Sequence, residues 1–174
     1  SEDPKVRALA VSVLAKLDGG KVTGGEVAIR KALTDRADQV RAAALSAIPV
    51  LAQRRGAIPK DLLATLTSTF ETGSWADRPV ATRALVRLGA RGDMALVQKA
   101  VTDKSGFVRE AVAESIALDT GLDVILQLSR DEDAQVRAAA AKRLGATKDE
   151  RAQRRRAELQ RDPEKVVRHA AGGT

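Results

Sequence analysis

Few side chains in this sequence are suited to chemistry, and their types limit what that chemistry could be. Cysteine is absent and His169 is the single histidine, so a zinc, haem or histidine-based catalytic site would have to come almost wholly from carboxylates. No Gly-x-x-x-x-Gly-Lys-Ser/Thr string occurs, and Gly19-Gly20-Lys21 and Gly24-Gly25 fall between helical patterns rather than after a strand. Neither a phosphate loop nor a dinucleotide-binding turn is supported. The run Arg154-Arg155-Arg156 could contact phosphates, but Glu150 and Glu158 are interleaved with its cations and no aromatic stands nearby for base stacking. Trp75 is the only tryptophan, and an aromatic placed in a turn can anchor an interface. No catalytic residue, metal ligand or cofactor-binding residue is assigned, and no enzyme activity is expected.

Composition constrains the elements that hold these residues. The chain has 174 residues, of which 44% are hydrophobic, with 32 alanines against only three aromatics, Phe70, Trp75 and Phe107. That excess of alanine points to helices packed closely through many small contacts, not to an all-β domain. No apolar run is long enough to span a membrane. The net charge of +7 invites a nucleic-acid reading, yet residues 148–169 hold eight Lys/Arg against five Asp/Glu, so the preceding body is only mildly basic.

A short string repeats along the chain. Val6-Arg7-Ala8-Leu9-Ala10, Val40-Arg41-Ala42-Ala43-Ala44, Val136-Arg137-Ala138-Ala139-Ala140 and Val167-Arg168-His169-Ala170-Ala171 share Val-Arg-x-x-Ala, and looser copies start at Val80 and Val108. Eight residues after the first five valines stand Leu14, Ile48, Leu88, Ile116 and Leu144. Offsets 0, 4 and 8 fall within roughly 80° on a helix, so each copy predicts an amphipathic helix with one buried stripe. The valines are 34, 40, 28, 28 and 31 residues apart, which leaves room for a second helix in every interval. Thr23-Gly24-Gly25-Glu26 reads as a capping box ahead of Val27, Ile29, Ala32 and Leu33. Met94 to Val101 and Leu122 to Leu128 are the corresponding helices further on, with Gly19, Gly73, Gly89, Gly121 and Gly145 marking helix ends.

These helix pairs resemble HEAT repeats, of the short HEAT-like variety also found in phycobilin lyases, over essentially the whole chain. The resemblance implies an all-α solenoid of about five to six units, with an array over 1–147 and a degenerate last repeat or basic capping helix over 148–174. It also implies a role for Asp35 and Arg41, Asp103 and Arg109, Asp131 and Arg137, and Asp162 and Arg168, which keep the family's six-residue spacing. In HEAT proteins such residues form a ladder of hydrogen bonds and ion pairs between neighbouring turns. A charge that recurs at the structural period is most simply a structural charge. One HEAT-like enzyme family, the deoxyhypusine hydroxylases, holds iron with repeated His-Glu pairs. Here His169 is followed by Ala170, and that activity is excluded.

Departures from the pattern mark caps, insertions or sites. In the third unit Trp75 and Ala81 occupy the Asp and Arg positions, in the longest interval, which also holds Pro59 and Pro79. Trp75 is then either a binding anchor or a filler packed on Phe70. In the sixth unit Arg155 and Arg156 occupy core positions of the first helix, predicting a frayed, rotated or capping helix. At the other end, Asp3 and Pro4 start a helix that is a second helix without its partner. That leaves an apolar edge and suggests an excerpt of a longer protein.

By the same resemblance the second helices line a concave surface. Six residues after the valines stand Ser12, Ser46, Val86, Glu114 and Lys142, and two residues after them stand Ala8, Ala42, Thr82, Glu110 and Ala138. Small neutral side chains dominate, and the cations near the track are Arg83, Arg87, Lys142 and Arg143. Such a surface suits an approaching helix or peptide better than a phosphate backbone. The expected function is a non-enzymatic protein-binding scaffold without cofactor or metal. Its expected partner is another protein or another domain of the same chain, with Trp75, Arg83, Arg87, Glu110, Glu114 and Lys142 as candidate contacts. A nucleic-acid-binding solenoid using the basic C-terminal helix and a HEAT-like lyase or other modifying-enzyme subunit remain the alternatives.

Overall fold

A computed structural model describes residues 1–18, 24–89 and 94–173, and every regular element among them is a helix. The helices are α1 (Pro4–Leu17), α2 (Gly25–Leu33), α3 (Asp38–Arg55), α4 (Lys60–Thr72), α5 (Asp77–Gly89), α6 (Met94–Val101), α7 (Gly106–Ser115), α8 (Leu118–Leu128), α9 (Ala134–Leu144), α10 (Glu150–Leu159) and α11 (Lys165–Ala170). The six Val-Arg-type copies lie on α1, α3, α5, α7, α9 and α11, and the even-numbered helices are the first helices of the pairs. The fold is an all-α helical repeat of the α-solenoid class.

Contacts divide the chain into two halves, 1–88 and 89–174. In the first, α1 packs on α3, and α2 packs on both. The side chains of Arg30 and Asp61 tie α2 to α4, and those of Arg41 and Asp77 tie α3 to α5. In the second, α9 packs between α7 and α11, with α8 and α10 alongside it. Within each half second helices stack, α1 on α3 and α9 between α7 and α11, as neighbouring units of a repeat array do.

The repeated stripe forms that core. Val40, Ala44 and Ile48 in α3 are buried, as are Val108, Val112 and Ile116 at α7, Val136, Ala140 and Leu144 in α9, and Val167 and Ala171 at α11. The alanines let helix backbones approach, while Ile29, Leu62, Leu66, Phe70, Ile125, Leu128 and Leu159 fill the space from the first helices. In α1 the outcome differs. Val6 of its stripe is half exposed.

Helix starts follow local hydrogen bonding. Asp3 accepts from the Lys5 N–H, Asp133 from Gln135, and Asp149 from Arg151 and Ala152, each satisfying an orphan donor of a first turn. Thr23 of the expected capping box lies outside the described residues, as do Gly19, Gly20 and Lys21. The first N–H groups of α2 are taken by Asp18, whose Oδ2 accepts from Gly25 at 2.7 Å and Glu26 at 3.4 Å. Val27, read into the α2 stripe, points outward instead.

One further reading needs correction. Gly121 does not end a helix; it lies in the first turn of α8, where a Cβ would meet the Ile116 side chain at 2.4 Å. The close approach of Ile116 to α8 requires the missing side chain. Helix α3 also runs through Pro49 to Arg55, carrying the Arg55 guanidinium onto Asp18 at 2.8 Å and onto Glu26.

Candidate functional site

The ladder residues sit at the turns between first and second helices, where Arg41, Arg109 and Arg137 make two kinds of contact and Arg168 makes the first of them. One Nη1 reaches back to the main-chain carbonyl six residues earlier. Arg41 donates to Asp35 at 3.0 Å, Arg109 to Asp103 at 2.8 Å, Arg137 to Asp131 at 2.9 Å and Arg168 to Asp162 at 2.9 Å. The rest of the guanidinium reaches forward to the aspartate of the next repeat. Arg109 grips Asp131 through Nε at 2.7 Å and Nη2 at 2.8 Å, and Arg137 grips Asp162 at 2.9 and 3.0 Å. The six-residue spacing thus marks a main-chain contact, while the ion pairs run between repeats.

Each aspartate is held in turn by its own loop. An Oδ1 accepts the N–H two residues on, at Ala37, Ser105, Asp133 and Glu164, in a turn built by the short Asp side chain. Hydrogen bonds from Arg7 hold Asp35 down to about 2. At Asp131 burial would raise the carboxyl, but the Arg109 hydrogen bonds and the Asp133 N–H bring it below its ordinary value. Asp162 is lowered chiefly by Arg137. These carboxylates are permanent anions at neutral pH and fully engaged, so they offer neither proton transfer nor nucleophilic attack.

The ladder extends further than the motif spacing implied. Arg7 has no aspartate six residues before it, yet it grips Asp35 with two bonds of 2.8 Å. In the third unit, read as lacking a ladder aspartate, the acceptor is Asp77, two residues past Trp75. Its Oδ2 takes Arg41 Nε at 3.2 Å, Arg41 Nη2 at 3.1 Å and Ser74 Oγ at 2.8 Å. Ser74 also accepts the Asp77 N–H, and this Ser-x-x-Asp cap was the signal available in the sequence.

Trp75 is 79% exposed, so it does not fill a packing gap. Phe70 is buried without it, beneath the Arg78 guanidinium, which lies 5.9 Å from the ring centre and donates to the Phe70 carbonyl. Of the other candidate contacts, Arg83 and Arg87 stand one turn apart on α5, with Arg83 half-buried and Arg87 exposed. Glu110 and Glu114 stand one turn apart on α7, and exposed Lys142 lies on α9, which packs on α7. The structure therefore brings Glu110, Glu114 and Lys142 onto adjacent helices of one half, and Trp75, Arg83 and Arg87 onto α5 and the turn before it. The expected rows are interrupted where Thr82, Val86 and Ala138 are buried; Thr82 satisfies its hydroxyl on the Arg78 carbonyl.

The arginine run of α10 is largely turned inward. Arg155 donates to Ser129 Oγ at 2.9 Å and to the Ser129 carbonyl at 2.7 Å, closing the C-terminal end of α8. The Arg156 guanidinium lies against Gly145 and Gly172. Arg151 pairs with Asp123, which leaves Arg154 as the outward member of the run. Among the described residues no group of His, Cys, Asp and Glu could hold a metal ion, and no helix is long and apolar enough to cross a membrane.

Paired helices, a stacked core and an arginine ladder between repeats define the class as a helical-repeat protein. Within it, residues 122–146 match the family model of the HEAT repeat, a span covering most of α8, the Asp131 turn and α9. No curated protein matches the chain.

Proposed function

We propose that this chain is a non-enzymatic scaffold that holds a helix or extended peptide of a partner protein against its second helices. The observation that carries the reading is the exposed face of α7 and α9. There Glu110 and Glu114 share one face of α7 with Phe107, which is 59% exposed, and Lys142 projects from the neighbouring α9, while the ladder pairs Arg109–Asp131 and Arg137–Asp162 are consumed internally. Mixed charges on a smooth surface fix the register of a peptide, whereas a nucleic-acid groove needs one sign of charge repeated along the track. The inward engagement of Arg155 weakens the nucleic-acid alternative. Spacings of 28 residues at Val80, Val108 and Val136 support placing the repeats with the short HEAT-like type.

The test is quantitative affinity purification with wild type and the double variant Glu114→Lys, Lys142→Glu. Both residues are exposed, so the variant should fold normally and lose the wild-type partner. Full recovery of that partner by the variant would remove this face from the mechanism. Steeply salt-dependent binding to duplex DNA, abolished by Arg154→Ala, would favour the alternative instead.

A further inference from the structure

We infer that a water molecule held inside the first half, between α4 and α5, completes the ladder at Asp77 by donating a hydrogen bond to its Oδ1. The need for it begins in the sequence. In the regular turns the ladder aspartate uses Oδ1 to accept the N–H two residues on, at Ala37, Ser105, Asp133 and Glu164. The residue two past Asp77 is Pro79, which has no N–H to give. Arg41 and Ser74 bond to Oδ2 instead. Asp77 is 9% exposed, and among the described residues its Oδ1 is buried without a hydrogen-bond partner. A dry, unmet carboxylate oxygen is costly enough that folds seldom retain one.

The place for a donor is next to it. Asp77 lines a cavity of about 50 Å³ together with Leu33, Arg41, Leu45, Thr65 and Thr69, above the roughly 10–15 Å³ that one water requires. The wall decides what the guest must be. Thr65 and Thr69 donate their hydroxyl hydrogens to the Asp61 and Thr65 carbonyls, at 2.8 and 2.7 Å. Arg41 has all five of its N–H groups engaged: Nε on Asp77, Nη1 on the Asp35 and Arg36 carbonyls, and Nη2 on Asp38 and Asp77. What remains in the polar wall is acceptors, namely Asp77 Oδ1 and the lone pairs of the two threonines. A guest must therefore bring hydrogens and no charge, because Arg41 already neutralises the carboxylate and Leu33 and Leu45 offer a second cation nothing. Water, with one hydrogen for Asp77 and one for a threonine oxygen, meets both demands. The same device accounts for Trp75. With a water serving Oδ1, the acid can sit at 77 in the α5 cap, and position 75, an aspartate in the regular turns, is released to carry an exposed side chain.

The test is a crystal structure of the whole protein at a resolution that places ordered water, together with oxygen-17 relaxation dispersion of wild type and Thr69→Leu in solution. The expected electron density is a single peak about 2.5–3.0 Å from Asp77 Oδ1 and within the same reach of a threonine Oγ1. Oxygen-17 follows the water molecule itself, so hydroxyl hydrogens that exchange with solvent do not contribute. Leucine at 69 fills the cavity and removes one acceptor, and the dispersion amplitude should fall by one long-lived water. Three results would overturn the inference. One is a wild-type cavity without density beside Oδ1, and another is equal dispersion amplitude for wild type and the folded variant. The third is a peak that gains anomalous signal after a rubidium soak, which would make the guest a cation. The first and third need only the wild-type protein and stand whether or not the variant folds.

Discussion

The sharpest consequence of the ladder is the cost of removing Arg109. Its side chain is 9% exposed and its partner Asp131 is 8% exposed. The arginine makes two short charge-assisted bonds to that carboxylate and a third to the Asp103 carbonyl. Arg109→Ala leaves the carboxylate nearly buried with one remaining donor, the Asp133 N–H. Breaking a buried pair from one side costs about 3–5 kcal/mol when the stranded charge stays dry. Here an open cavity of about 390 Å³, lined by Thr102, Asp103, Lys104, Arg109, Asp131 and Glu132, lets water reach it. The expected loss is therefore reduced to about 2–3 kcal/mol in urea denaturation at pH 7. The fitting control is Arg130→Ala, whose exposed guanidinium donates only to the Leu126 carbonyl and should cost about 0.5 kcal/mol or less. Acid supplies a second signature. The folded-state value of Asp131 is depressed, so its contribution is fully present above the unfolded carboxyl value of about 4 and is lost as pH falls through the folded one. The gap between wild type and Arg109→Ala should accordingly narrow as pH falls below about 4. Equal losses for the two variants at pH 7, or a gap that widens in acid, would refute the account.

Further outcomes follow from single contacts. Arg7→Ala should let the Asp35 carboxyl rise from about 2 toward the ordinary range, read by carboxyl-carbon NMR titration. Gly121→Ala places a methyl against the Ile116 side chain, so overpacking of about 1–3 kcal/mol should outweigh the gain in helix propensity and lower the melting temperature. Arg155→Ala should cost about 1–2 kcal/mol through the two lost bonds to Ser129, while Arg154→Ala should stay within about 0.5 kcal/mol; equal melting temperatures would show that Arg155 does not close α8.

What could be read from the sequence was what the repeat prints more than once. Val40, Val108 and Val136 recur with their partners at offsets 4 and 8, and one buried stripe satisfies all three helices. Asp131 and Asp162 were visible for the same reason. Their partners were harder to assign, because a count along the chain reports the main-chain contact of an arginine and not the neighbouring turn that its guanidinium reaches. Asp77 escaped notice because the α5 cap slides the carboxylate two residues along while keeping it within reach of Arg41. Arg155 was misjudged on energetic grounds. A guanidinium in a core register is costly only when its donors go unmet, and the α8 terminus supplies acceptors that no residue type in the sequence announces.

The same distinction locates function. A residue that recurs at the structural period is spent on the structure, as the bonds of Arg7, Arg41, Arg109, Arg137 and Arg168 show. A ligand must then be recognised by side chains that break the period and are left at the surface. Trp75 interrupts the repeat and is exposed where its counterparts are engaged aspartates, and Glu114 and Lys142 replace the serines of α1 and α3 at one register.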